Sequence, residues 1–128
     1  MAITTETYVL TNVGRELLID SIVNNSALNI LKFKVGTGAT SDADVTVTDL
    51  VNPVYEKDIT SITKVSQNVQ LFTCRLEAAD GALGDINEVG IYSYDSSTST
   101  YILFIYGTFP AITKYDTNTI TFKIYMNW

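Results

Sequence analysis

A chain of 128 residues with 46% apolar and 17% charged residues has enough hydrophobic material for one core and too little length for two ordinary ones; this argues against disorder and predicts a single domain over residues 1–128. Fourteen carboxylates against eight cations give a formal charge of −6, which argues against a phosphate-tracking surface, so no nucleic-acid partner is expected. One cysteine, Cys74, and no histidine remove an intramolecular disulfide, a Cys/His zinc centre and any triad built on an imidazole base.

The N-terminal stretch MAITTETYVLTN has neither a basic n-region nor a continuous apolar h-region, so no signal peptide is predicted. The longest apolar run, YILFIY at 101–106, is far short of the ~20 residues of a membrane helix, and no membrane partner is expected. Thr11 is a natural N-cap. After it, Val13, Leu17, Leu18 and Ile22 recur at spacings of three to five and are widened by Ile19 and Val23, which predicts an amphipathic helix from Asn12 to Val23 that packs this stripe on a sheet. Asn24, Asn25 and Ser26 supply the stop.

Most of the remaining chain reads as strand, because Thr, Val and Ile, at 18, 11 and 13 residues, favour half-buried pleated surfaces. In NILKFKVG, Leu31, Phe33 and Val35 alternate with Lys32 and Lys34. KDITSITKV and VQLFTCRLEA repeat the pattern, the second with Phe72, Cys74 and Leu76 inward and Thr73, Arg75 and Glu77 outward. INEVGIYSY and YILFIYGTF flank the polar DSSTST as a hairpin, and NTITFKIYM places Ile120, Phe122, Ile124 and Met126 on one face. Six or seven strands and one helix give an α+β class, mostly β: an antiparallel, sandwich-like domain. The stretch from Gly36 to Pro53 is long for a connection and is expected to be functional or tied down by a neighbour.

Candidate chemistry is sparse. VGTGAT begins like a phosphate-cradling turn, but Ser41 stands where a third glycine is needed and the following DVTVT is strand-like, so a strand-ending turn with positive φ is expected instead. Asp42, Asp44 and Asp49 are hard oxygen donors, yet Val47 and Pro53 occupy the glycine and glutamate positions of a calcium loop, leaving a solvated acidic loop. Asp80, Asp85 and Glu88 lie close in sequence, which says nothing about separation across a sugar. Cys74, inward with Phe72 and Leu76, reads as an inert buried thiol. Neither metal nor cofactor is expected, and no enzyme activity. By alternation Glu88 shares a face with Ile86, Gly90 and Tyr92, opposite Val89 and Ile91. If that face is covered, the carboxylate must be hydrogen-bonded by backbone N–H groups or hydroxyls, and Gly90 leaves room for another segment.

Five short motifs in order resemble the phage tail-collar fibre family over roughly residues 8 to 126. They are Tyr8 with Leu10, Thr11, Asn12 and Gly14; Val35 with Gly36 and Gly38; Leu50, Val51, Asn52, Val54 and Tyr55; the Glu88 to Tyr92 strand with Gly90; and a turn at Gly107, Phe109 and Pro110. The resemblance implies a virion structural protein in which Thr11, Gly14, Gly36, Gly38, Asn52, Tyr55, Glu88, Gly90, Gly107, Phe109 and Pro110 are architectural. It implies an N-terminal attachment domain located in the tail or baseplate region of a phage or tail-like particle and made in the host cytoplasm. It also implies tail or baseplate proteins and a tail fibre as partners, and a homotrimer in the particle. The family domain usually precedes a long fibre, whereas this sequence stops at Trp128, so an adaptor or collar for a separately encoded fibre is expected. The alternative is a carbohydrate-binding β-sandwich that touches the host surface through Tyr92, Tyr94, Tyr101, Tyr106 and Tyr115.

Overall fold

In the computed structural model, which describes residues 2–4, 7–39 and 44–128, the branched, alternating stretches among these residues form nine strands, with one α-helix beside them. In chain order these are β1 (Ala2–Thr4), β2 (Thr7–Leu10), α1 (Asn12–Val23), β3 (Asn29–Gly36), β4 (Pro53–Asp58), β5 (Ser61–Ser66), β6 (Val69–Leu76), β7 (Gly84–Asp95), β8 (Thr100–Lys114) and β9 (Ile120–Asn127), with a single 3₁₀ turn at Ala78–Asp80. One sheet has the order β1-β9-β6-β5 and the other β2-β8-β7-β3-β4. Every pairing is antiparallel except β1 with β9.

The sheets stack face to face on one core, as the period-2 pattern requires. Phe72, Cys74, Leu76, Ile120, Phe122 and Ile124 come from the four-stranded sheet; Phe33, Val35, Val89, Ile91 and Ile105 come from the five-stranded one. The inward faces of β6 and β9 are those read from alternation, and the β7–β8 hairpin closes at the predicted polar loop.

Several expectations fail for identifiable reasons. The strand count is exceeded by β1 and β2, which lie ahead of the helix, and by the division of KDITSITKV, whose chain leaves one sheet after Asp58 and enters the other at Ser61. β5, an edge strand, is exposed along its whole length. Leu31 sits at a bulge between Ile30 and Lys32 and is turned outward, which breaks the alternation predicted for β3. DVTVT contains a turn rather than a strand. Gly107, Phe109 and Pro110 lie within β8 and do not form a turn; Pro110 falls where the β7–β8 register slips, so its missing N–H breaks no regular ladder.

Helix α1 has the predicted bounds and the predicted cap, Thr11 Oγ1 accepting from the Gly14 amide at 2.9 Å. Only part of the predicted stripe faces inward: Val13, Leu17 and Leu18 are half-buried, and Leu18 packs against the core. Gly14 and Ser21 are the buried helical residues, while Ile19, Ile22 and Val23 are 52%, 73% and 75% exposed. A Cβ on Gly14 would lie 2.7 Å from the Phe104 carbonyl oxygen, so the helix presses this glycine against the β8 backbone. It begins where β2 leaves off, the Thr11 amide donating to Phe104 O at 3.1 Å.

Candidate functional site

Glu88 is placed by a two-residue slip in the β7–β8 register, where Asn87 alone stands against residues 109–111 of β8. Between Ile86 and Glu88 the pairing of β7 with β8 is irregular, so Ile86 joins the main core with Val89 and Ile91 rather than sharing the Glu88 face as alternation predicted. Glu88, Gly90 and Tyr92 then face the other side of the five-stranded sheet. There Leu50, Tyr92, Leu103 and Tyr106 form a second, smaller cluster, capped by Val9 and Val47. The long segment between β3 and β4 closes over this face.

The carboxylate itself is fully buried. Its Oε1 accepts from the Val51 amide at 2.9 Å and the Tyr106 hydroxyl at 2.7 Å; its Oε2 accepts from the amides of Asn52 at 2.9 Å and Gly38 at 3.1 Å. Three backbone donors from both ends of the loop and one hydroxyl from β8 thus satisfy a carboxylate that would be costly to bury unpaired. The neighbouring Asn87 side chain extends the clasp by donating to Ala39 O and accepting from Ala39 N, both at 3.0 Å. Asn52 also donates from its side chain to Thr37 Oγ1 at 2.7 Å, and the Thr37 amide donates to Asn52 O at 3.1 Å.

The glycines serve close approach here. A Cβ on Gly36 would stand 2.5 Å from both Asn52 O and Glu88 Oε2, and one on Gly38 would stand 2.7 Å from Asn52 N. Among the described residues only Gly81 and Gly84 are glycines with positive φ, so the expectation of a positive-φ turn at VG-x-G is corrected: the requirement is steric. A Cβ on Gly90 would meet Leu50 Cδ1 at 2.5 Å and Leu103 Cδ1 at 2.7 Å, because the loop and β8 both reach over it. Tyr106 stands directly opposite Gly90 in the register and sends its hydroxyl to Glu88.

Electrostatically the clasp is closed. Burial first, then the hydrogen bond to Glu88, pushes the Tyr106 phenol up, and burial followed by the bond to Asp49 does the same for Tyr92. Asp49 accepts from Tyr92 and from the Leu50 amide, while Asp44 accepts from the Thr46 amide at 2.9 Å. Each carboxylate is engaged locally; Ser41 and Asp42 lie outside the described residues. Among the described residues no three Asp, Glu or Cys side chains group as a metal site would need.

Other candidates are dispersed. Thr11 and Gly14 flank the clasp, linked through the Asn12 amide, which donates to Val45 O at 2.7 Å. Tyr55 belongs elsewhere: its hydroxyl and Lys57 Nζ both donate to Asp80, at 2.7 and 2.8 Å. Burial would raise the Asp80 carboxyl, but the bonds from Lys57, the Glu77 amide and Tyr55 hold it down at about 2. Asp85 is bonded to Thr113, so Asp80, Asp85 and Glu88 belong to three separate bonding groups. Gly107 pairs with Tyr8 and Val89, Phe109 packs on Phe122 with ring centroids 5.1 Å apart, and Pro110 is exposed. Burial raises the Cys74 thiol, as an inert core position implies. Of the five tyrosines considered for sugar contact, Tyr92 and Tyr106 are buried in the clasp, whereas Tyr101 and Tyr115 are exposed. Sequence reading missed Asn87 and the role of Tyr106; the available signal was a strand glycine that leaves space for an aromatic residue across the ladder.

A family model described as phage tail-collar fibre protein, N-terminal, matches residues 3–126. No curated protein and no solved structure matches the chain.

Proposed function

The chain belongs to the phage tail-collar fibre family, a structural family of the phage tail, and from that premise we propose that it is a docking subunit seated on the tail or baseplate. In this reading it acts as adaptor or collar for a separately encoded tail fibre, works as a homotrimer in the particle, and is structural rather than catalytic. The observation that carries the reading is the saturation of the clasp: every oxygen of the buried Glu88 carboxylate is filled by donors of the chain itself. A carboxylate so occupied has no lone pair directed at a substrate or cation, and what it does is hold a long loop rigidly to a sheet. Rigid loops on a β-rich scaffold suit protein–protein docking, where little is spent on ordering the surface. The motif residues Gly36, Gly38, Asn52, Glu88 and Gly90 meet in this one feature, which supports an architectural role for them.

The test is retention on particles. Purified chain added to tails assembled without it is expected to be retained, and to capture recombinant fibre in a pull-down, while showing no adsorption to host cells. Saturable cell binding that host polysaccharide competes away, with no retention on tails, would replace this reading by the carbohydrate-binding one.

A further inference from the structure

Among the described residues, two surfaces carry apolar side chains that lie outside the core clusters, and their charges are opposite. The first is the outward face of α1, where Ile19, Ile22 and Val23 recur at i, i+3 and i+4 beside Glu16 and Asp20. The second is the outer face of the β1-β9-β6-β5 sheet, where Leu71 and Tyr125 stand opposite one another in the ladder, outside the core cluster. Neither Ile59–Leu76 nor Thr117–Trp128, the segments that supply β5, β6 and β9, contains a carboxylate, although the chain has fourteen. On that outer face are Lys123, with no carboxylate partner among the described residues, and Arg75, whose partner there is the exposed Glu77 at 3.4 Å.

We propose that these two surfaces meet between copies: the outward face of α1 of one copy packs on the outer face of the β1-β9-β6-β5 sheet of the next. A helix stripe and a sheet face are the natural complements of layered packing. Glu16 and Asp20 would face Arg75 and Lys123, whereas a two-fold contact of the sheet face with itself would set cations against cations. The contact pairs unlike surfaces, and it is heterologous when the helix and the sheet of one copy engage different neighbours. Repeated between successive copies, such a contact forms a ring where its rotation closes. The inference deepens the reading of the chain as an oligomeric docking subunit and rests on it.

Two substitutions at non-core positions provide the test, Ile22→Glu on the helix and Leu71→Asp on the sheet. By analytical ultracentrifugation the wild type is expected to be oligomeric, and each variant alone monomeric with an unchanged circular dichroism spectrum. An equimolar mixture of the two variants is expected to form a 1:1 dimer, since the intact helix of the Leu71→Asp copy can still dock on the intact sheet of the Ile22→Glu copy. If Leu71→Asp unfolds, the double variant Arg75→Glu, Lys123→Glu replaces it. A wild type that is monomeric throughout, a variant that stays oligomeric, or a mixture that stays monomeric overturns the proposal. Retention on tails separates the two readings: a monomer that tails retain sinks this interface alone, and an oligomer that tails ignore sinks the docking function alone.

Discussion

The outer faces of the two sheets are finished in different ways. On the five-stranded sheet the chain covers its own outer face with the segment between β3 and β4, and a buried carboxylate, three amides and a tyrosine hydroxyl pin it there. On the four-stranded sheet Leu71 and Tyr125 remain half-buried and cations replace carboxylates. A covered face must satisfy every polar group internally, so it tolerates almost no substitution; an uncovered face leaves that work to solvent or to another chain. Stability should therefore concentrate on the first surface, and association on the second.

The largest effect is expected from Gly36→Ala. Its methyl would collide with the Asn52 carbonyl and with Glu88 at once, and backbone cannot yield as a side chain can. Denaturant unfolding should show a loss of about 3 kcal/mol, near the upper end for overpacking. Glu88→Gln comes next. An amide keeps the shape but points an NH₂ group at donors, so a loss of about 2 kcal/mol is expected together with faster hydrogen exchange at the Val51 and Asn52 amides. A Glu88→Gln protein of normal stability would break the contrast between the two faces.

Asp80→Asn tests a satellite site by pH. The folded carboxyl titrates at about 2, below its ordinary value of 3.8, so between those values the unfolded chain binds the extra proton. The stability it contributes is present above that window and is lost as pH falls through it. The wild type should weaken across this range by on the order of 1 kcal/mol, and the asparagine variant should lack that slope. Leu71→Asp should have the smallest effect on the isolated fold, within about 0.5 kcal/mol by the same unfolding assay, as expected at a position that is not packed in the core.

Much of the fold was legible in the sequence because its signals are local. The alternation of β6 and β9, the polar turn between β7 and β8, and the Thr11 cap each depend on neighbours a few residues apart. Part of the clasp was legible too: Glu88 beside Gly90 in a buried strand demanded donors and a close neighbour. What could not be read was which donors. Gly38, Val51, Asn52 and Tyr106 are separated from Glu88 by 50, 37, 36 and 18 positions, and nothing local distinguishes their polar groups.

The sequence by itself determined the class of fold, the bounds of α1 and the absence of histidine chemistry, since these follow from composition and from periods of two and 3.6 residues. Only the tertiary structure decided which side of a periodic element faces inward. Periodicity favoured Val13, Leu17, Leu18 and Ile22 as the buried face of α1; Leu18 does pack against the core, but Gly14 is pressed on the Phe104 carbonyl and Ile22 turns to solvent. The irregular pairing between Ile86 and Glu88 put Ile86 in the core and Glu88 on the opposite face, where simple alternation would set residues two apart on one face.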